Sequence, residues 1–173
     1  MRVAGLVALA ALAVLVAGAV ANAKSEEPVR AGSTFSPASA ATLCSVPQRY
    51  RGVFEAAARD TDLPLALLVS VARVESKFDP SAHSSAGAIG LLQVMPPTAA
   101  ALRLDPNRPD TNVLAGARYL KLMLRRFESA DLALAAYNAG PSAVERAGGA
   151  PSTETLTYVA NVNRLWQRLQ GCS

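Results

Sequence analysis

Residues 63–74 read LPLALLVSVARV, twelve positions with one serine and one arginine among otherwise apolar side chains and a proline. At 3.6 residues per turn the apolar side chains surround the axis, so the predicted helix over 63–76 has no polar face to give to water. Such a helix has to be central, wrapped by others. Pro64 stands at a tolerated first-turn position, with Thr61 or Asp62 as the expected cap. At the other end sits Glu75, an ionisable acid at the mouth of a buried helix. That position costs free energy unless something uses the carboxyl.

The wrapping helices are readable from periodicity. Residues 48–59 are amphipathic, 96–104 form a short helix, and 112–127 place Val113, Ala117, Leu120, Leu124 and Phe127 on one face. Residues 130–138 and 141–148 follow, and 153–169 close the domain by burying Leu156, Val159, Val162, Trp166 and Leu169. Residues 78–90, with their Pro, Gly and Ser, read as a loop, and a short extended piece is expected around 88–92. The expected fold class is mainly α, a compact multi-helix domain.

The 173-residue chain divides before that domain. Met1 and Arg2 precede an apolar, Ala-rich run over 3–20, and AVANA offers Ala21 and Ala23 before a cleavage point, the pattern of a secretory signal peptide over 1–23. A retained membrane anchor is the rival reading of the run; the small-residue exit and the polar KSEEP after it favour cleavage, which leaves no membrane segment. Residues 24–43, rich in Ser, Ala, Pro and charge, read as a flexible linker, and the domain occupies 44–173. Without Arg2 there remain 16 basic against 13 acidic residues, scattered and with few aromatics. The net charge of about +3 would suit an anionic polymer, but nucleic-acid binding has little support. Cys44 and Cys172 bracket the domain, and with an export signal the expectation is a disulfide.

The single histidine, His83, argues against a multi-histidine zinc site and leaves a Ser-His-Asp triad resting on one loop residue. No phosphate-binding loop is present, and neither cofactor nor metal is expected. Most acids lie in polar settings that suit capping or solvation. Glu75 instead follows Leu65, Leu68 and Ala72 along one helical face. Desolvation there raises a carboxyl pKa, and an acid still protonated near neutral pH can protonate a leaving oxygen. The alternative is a buried ion pair with Arg73, Lys77 or a distant arginine, which is the commoner fate of such a residue taken alone.

Five segments in order shift that balance: Glu75-Ser76, SSAGAIGLLQVMP (84–96), NVLAGARYL (112–120), AYNAG (136–140) and ETLTYVANV (154–162). Together, from about Cys44 to Trp166, they resemble the catalytic domain of soluble-type lytic transglycosylases. The resemblance implies a lysozyme-like α-domain with a long cleft. Its substrate is peptidoglycan, cut between N-acetylmuramic acid and N-acetylglucosamine to leave a 1,6-anhydro end. It makes Glu75 the single acid/base, with the substrate's acetamido group standing in for a second carboxylate. Ser84, Gln93, Met95, Tyr137 and Asn138 match cleft-lining positions, with Tyr137 near the acetamido group and able to donate a hydrogen bond into the cleft. Ser76 hydrogen-bonds locally or joins the substrate-binding set. Glu154 is a supporting residue rather than a second catalyst, and Tyr158 orients Glu75 or Glu154, or packs. Asp79, before Pro80, is expected to cap or turn. Leu92 stands where methionine is usual, a volume-conserving change.

Competing readings are a hydrolytic muramidase on the same substrate and a wall-binding component with little catalysis. Small relatives open the wall for secretion, conjugation or pilus machines, so such an apparatus is the implied protein partner of a periplasmic monomer.

Overall fold

The computed structural model describes residues 46–170. The segments 1–23 and 24–43, and both Cys44 and Cys172, lie outside the described residues, so signal, linker and disulfide do not enter the description of the fold.

Seven helices are present among the described residues: α1 (Gln48–Thr61), α2 (Leu65–Glu75), α3 (Pro96–Ala101), α4 (Pro109–Phe127), α5 (Ala130–Ala139), α6 (Pro141–Ala147) and α7 (Thr153–Leu169). The apolar helix is central as its sequence requires. Every residue of α2 from Ala66 through Ala72 is buried, including Ser70. The Ser70 hydroxyl is satisfied inside the helix by donating to the Ala66 carbonyl at 2.7 Å. α7 packs on α2 and α5, and α4 is flanked by α1 and α5. The core they enclose holds Phe54, Leu68, Leu120, Val162 and Leu169, together with Leu91 and Leu92 from the loop that follows α2. A smaller cluster of Met123, Ala133, Ala136 and Val144 joins α4, α5 and α6. No helix among the described residues is long and apolar enough to cross a membrane.

Four local expectations are corrected. Asp62 does not cap α2: it sits in the left-handed region at φ 51° and closes α1, its N–H donating to the Ala58 carbonyl. Thr61 donates its hydroxyl back to Ala57, so α2 opens on Pro64 without a side-chain cap. α4 begins three residues early, at Pro109, because a proline at the first helical position loses no hydrogen bond. α3 stops at Ala101, short of Leu104; the N–H of Leu102 folds back on the preceding carbonyls and Arg103 turns left-handed at φ 59°.

The closing helix has the expected bounds but a rotated face. Leu156 is 58% exposed, while Thr155, Tyr158, Val162 and Leu169 turn inward and Val159 and Trp166 are half-buried. The extended piece is reduced to two isolated antiparallel bridges, His83 with Ile89 and Ile89 with Val94.

Candidate active site

Glu75 is the last residue of α2, and the chain leaves it through two consecutive left-handed residues, Lys77 at φ 54° and Phe78 at φ 68°. Non-glycine residues pay for that conformation, so neighbouring contacts must hold it. Phe78 is buried edge-on against Phe54, ring centres 5.9 Å apart. The Ser76 hydroxyl accepts from the Phe78 N–H at 3.1 Å and donates to the Leu91 carbonyl at 2.8 Å. Ser76 therefore ties the end of α2 to the 84–95 loop. It does not face the cavity, and its expected place among the substrate-binding residues becomes one of support.

The loop is braced from two more helices. Asn112, 1% exposed on α4, accepts from the Leu92 N–H at 2.9 Å and donates to the carbonyls of Ile89 at 2.8 Å and Pro106 at 2.9 Å. Tyr137 on α5 donates to the Leu92 carbonyl at 2.7 Å. Leu92 thus has both its backbone groups held by side chains. Two glycines make room for this: a Cβ on Gly90 would lie 2.6 Å from the Asn112 amide, and one on Gly116 would lie 2.6 Å from Leu92 and 2.9 Å from the Tyr137 hydroxyl. Asn112 and Gly116 have no role among the sequence expectations. The signal was available in NVLAGARYL, where a polar amide and a glycine interrupt an otherwise apolar helix face.

A cavity of about 510 Å³ opens above this floor, lined by Glu75, Ser84, Gln93, Met95, Tyr137, Asn138 and Glu154 among others. Six of the seven residues expected at the centre of the cleft, all but Ser76, are therefore brought together, and Glu154 joins them. A second cavity of about 230 Å³ shares Gln93, Met95, Tyr137 and Asn138 and continues to Thr98 and Tyr119, so the groove runs past Asn138.

Hydrogen bonding fixes what each side chain can offer. The Glu75 carboxylate accepts from the Tyr158 hydroxyl at 2.8 Å, so of the expected partners Tyr158 reaches Glu75. Burial pushes the Glu75 carboxyl up to about 7, against the smaller downward pull of that hydrogen bond. Among the described residues the expected rival, an ion pair with Arg73, Lys77 or a distant arginine, does not form. Burial, reinforced by the Glu75 charge, holds the Tyr137 and Tyr158 phenols well above their usual range, so both stay protonated donors. Tyr137 lines the cleft but uses its hydroxyl hydrogen on Leu92, so it does not donate into the cleft. Gln93, left-handed at φ 44°, donates both amide hydrogens to the carbonyls of Ala82 and Gly90 and has only its oxygen to offer.

The remaining polar candidates fall where solvation or turn geometry puts them. Asp79 accepts from the N–H and hydroxyl of Ser81, which hold its carboxyl below the usual range, and it lies outside the cavity. His83 is exposed, its Nδ1 against the Ser81 carbonyl. Ser84 accepts from the Ala88 N–H, shaping the turn that borders the cavity. Glu154 is exposed in the first turn of α7, where a negative charge suits the helix dipole.

Residues 52–157 match the family described as the transglycosylase SLT domain. The soluble lytic murein transglycosylase of Salmonella typhimurium is 32% identical over 142 residues, covering 67% of this chain and 22% of that protein. Membrane-bound lytic murein transglycosylase F 2 of Alkalilimnicola ehrlichii is 38% identical over 103 residues, 53% of this chain and 22% of that protein. An inactive glutamate-to-glutamine mutant of the lytic transglycosylase Slt from Pseudomonas aeruginosa superposes with a TM-score of 0.63 at 29% identity, over 72% of this chain and 24% of that one. The chain thus spans less than a quarter of the length of these relatives.

Proposed function

The chain belongs to the transglycosylase SLT domain family, and from that premise we propose that it is a lytic transglycosylase of peptidoglycan with Glu75 as its single acid and base. One observation carries the reading. A carboxyl held near pKa 7 by burial faces the cavity of about 510 Å³, and its side-chain partner is a phenol rather than a cation or a second acid.

Protonated Glu75 gives its proton to the glycosidic oxygen between N-acetylmuramic acid and N-acetylglucosamine. The C1–O bond breaks, the departing sugar leaves as an alcohol, and the acetamido carbonyl oxygen takes up the positive charge at C1. Glu75, now a carboxylate, removes the proton of the C6 hydroxyl as that oxygen closes on C1 and expels the acetamido oxygen. The product is a 1,6-anhydro end, no water is consumed, and the acid is regenerated. Tyr158 steadies the carboxylate between the two proton transfers. Ser84, Gln93, Met95, Tyr137 and Asn138 form the walls that hold the glycan, while Glu154 orients substrate at the mouth.

The same reading places the protein in the periplasm as a monomer. Residues 1–23 direct export, 24–43 form the linker, and Cys44 and Cys172 bridge the two ends of the domain. Its protein partner is a secretion, conjugation or pilus machine that needs a local opening in the wall. Thiol alkylation of the exported protein checks the bridge: labelling only after reduction is expected.

Mass spectrometry of digested peptidoglycan tests the activity. Anhydro-ended muropeptides from the wild type and none from Glu75→Gln are expected. Reducing ends without anhydro product would assign a hydrolytic muramidase instead. Unchanged digestion by Glu75→Gln would remove Glu75 from the mechanism.

A further inference from the structure

Asn138 is exposed at the C-terminal end of α5 and lines both cavities of the groove. Its amide is not free to present either end. The hydroxyl of Thr155, a side chain only 3% exposed on α7, donates to Asn138 Oδ1 at 3.1 Å. The Thr155 hydroxyl hydrogen being so engaged, the 3.1 Å contact between Ser152 Oγ and Thr155 Oγ1 is donated by serine. Ser152 Oγ in turn accepts from the Thr155 N–H, the capping bond of α7. A directional relay thus runs from the helix cap through Thr155 to Asn138 and leaves the Asn138 NH₂ group for the groove. Across the site Gln93 has the opposite polarity, its NH₂ held by two backbone carbonyls and its oxygen left over.

We propose that Thr155 is a positioning residue that fixes the polarity of Asn138, so that the groove offers a donor from Asn138 to an acceptor oxygen of the glycan and an acceptor from Gln93 to a glycan N–H or O–H. N-acylated sugars carry both kinds of group, a carbonyl oxygen and an N–H. This rests on the glycan-cleaving reading above and adds to it the residue that sets which way one wall of the groove is polarised. Thr155 borders the cavity, but its hydroxyl hydrogen is engaged by Asn138, so its effect on the glycan runs through that amide.

The relay can be cut cleanly. Thr155→Val keeps the side-chain shape, removes the hydroxyl, and leaves the backbone capping bond to Ser152 in place. The Ser152 hydroxyl it orphans is at the exposed rim and can turn to water. An amide free to rotate loses an oriented hydrogen bond to substrate, so KM for a soluble glycan tetrasaccharide should rise about threefold to tenfold while kcat stays within about twofold. Thr155→Ser restores the hydroxyl and should restore KM. Asn138→Asp keeps the Thr155 contact but offers the groove only acceptors, and should raise KM at least as much as Thr155→Val. A wild-type KM in Thr155→Val, a Thr155→Ser enzyme as impaired as Thr155→Val, or an Asn138→Asp enzyme that binds like wild type would each overturn the proposal. These outcomes arise with a wild type that makes anhydro product. A wild type that does not cleave the glycan at all contradicts the parent reading and this one with it.

Discussion

At the residue scale the proposed chemistry turns on one carboxyl and one phenol. Glu75 stood out in the sequence because an apolar helix ended on an acid, and the same burial that made it conspicuous raises its pKa to about 7. What the sequence left open was the partner, with Tyr158 expected to orient Glu75 or Glu154, or to pack. Tyr158 lies 83 residues away and supplies a hydrogen bond that favours the ionised form. Tyr158→Phe removes that bond, so the Glu75 pKa should rise further. The alkaline limb of the pH–kcat/KM profile should then move up by about one pH unit, the worth of a charge-assisted hydrogen bond of ~1.5 kcal/mol. A limb that stays in place or moves down would show that Tyr158 does not act on the carboxyl. For a related reason Ser76 takes the first of its two expected roles, local hydrogen bonding, and Tyr137 lines the cavity without donating into it. Their residue types suit a cleft, but backbone carbonyls 15 and 45 residues distant claim their hydroxyls. Side-chain engagement of that kind has no local signature.

At the element scale the decisive unit is the 84–95 loop, whose irregular backbone is held by Ser76, Asn112 and Tyr137. Motif order placed this loop beside Glu75, and periodicity found the helices around it. Boundaries and faces were less legible: Pro109 moved the start of α4, and Leu156 faces water because α7 turns Thr155 and Tyr158 inward to serve the site. Asn112→Ala leaves one N–H and two carbonyls without their partner. Its cost should be about 3 kcal/mol in a urea melt, as for other losses of a buried network; a loss below ~1 kcal/mol would mean the loop finds other partners. Gly116→Ala reverses the usual helical rule. In an open helix that change stabilises by up to ~1 kcal/mol, but here the new methyl would meet Leu92 at 2.6 Å and the Tyr137 hydroxyl at 2.9 Å. Destabilisation by ~1–3 kcal/mol and a fall in kcat/KM are expected. A more stable, fully active Gly116→Ala would show that the cleft floor gives way freely.

At the scale of the whole molecule the site weakens the fold at high pH. The carboxyl of Glu75 titrates near 4.5 in an unfolded chain and near 7 in the folded one. The folded state therefore holds the proton more tightly, and stability falls as pH rises through that window. The burden at alkaline pH is on the order of 3 kcal/mol for a shift of this size. Glu75→Gln, which never ionises, should be more stable than wild type above pH 7, with the advantage vanishing below pH 4.5. An advantage that persists unchanged at pH 4 would assign it to packing instead of charge. The architecture itself follows from the apolar stretch at 63–74: a helix without a polar face has to be enclosed, and the one acid at its end opens onto the groove left between the enclosing helices.

The most direct test of the account is the pH dependence of kcat/KM for formation of anhydro-ended product by the wild-type protein. A single acid that must be protonated to attack predicts a rate that falls tenfold per pH unit above about pH 7, where Glu75 loses its proton. A profile that begins to fall near pH 4.5, the ordinary value of a glutamate, would contradict it.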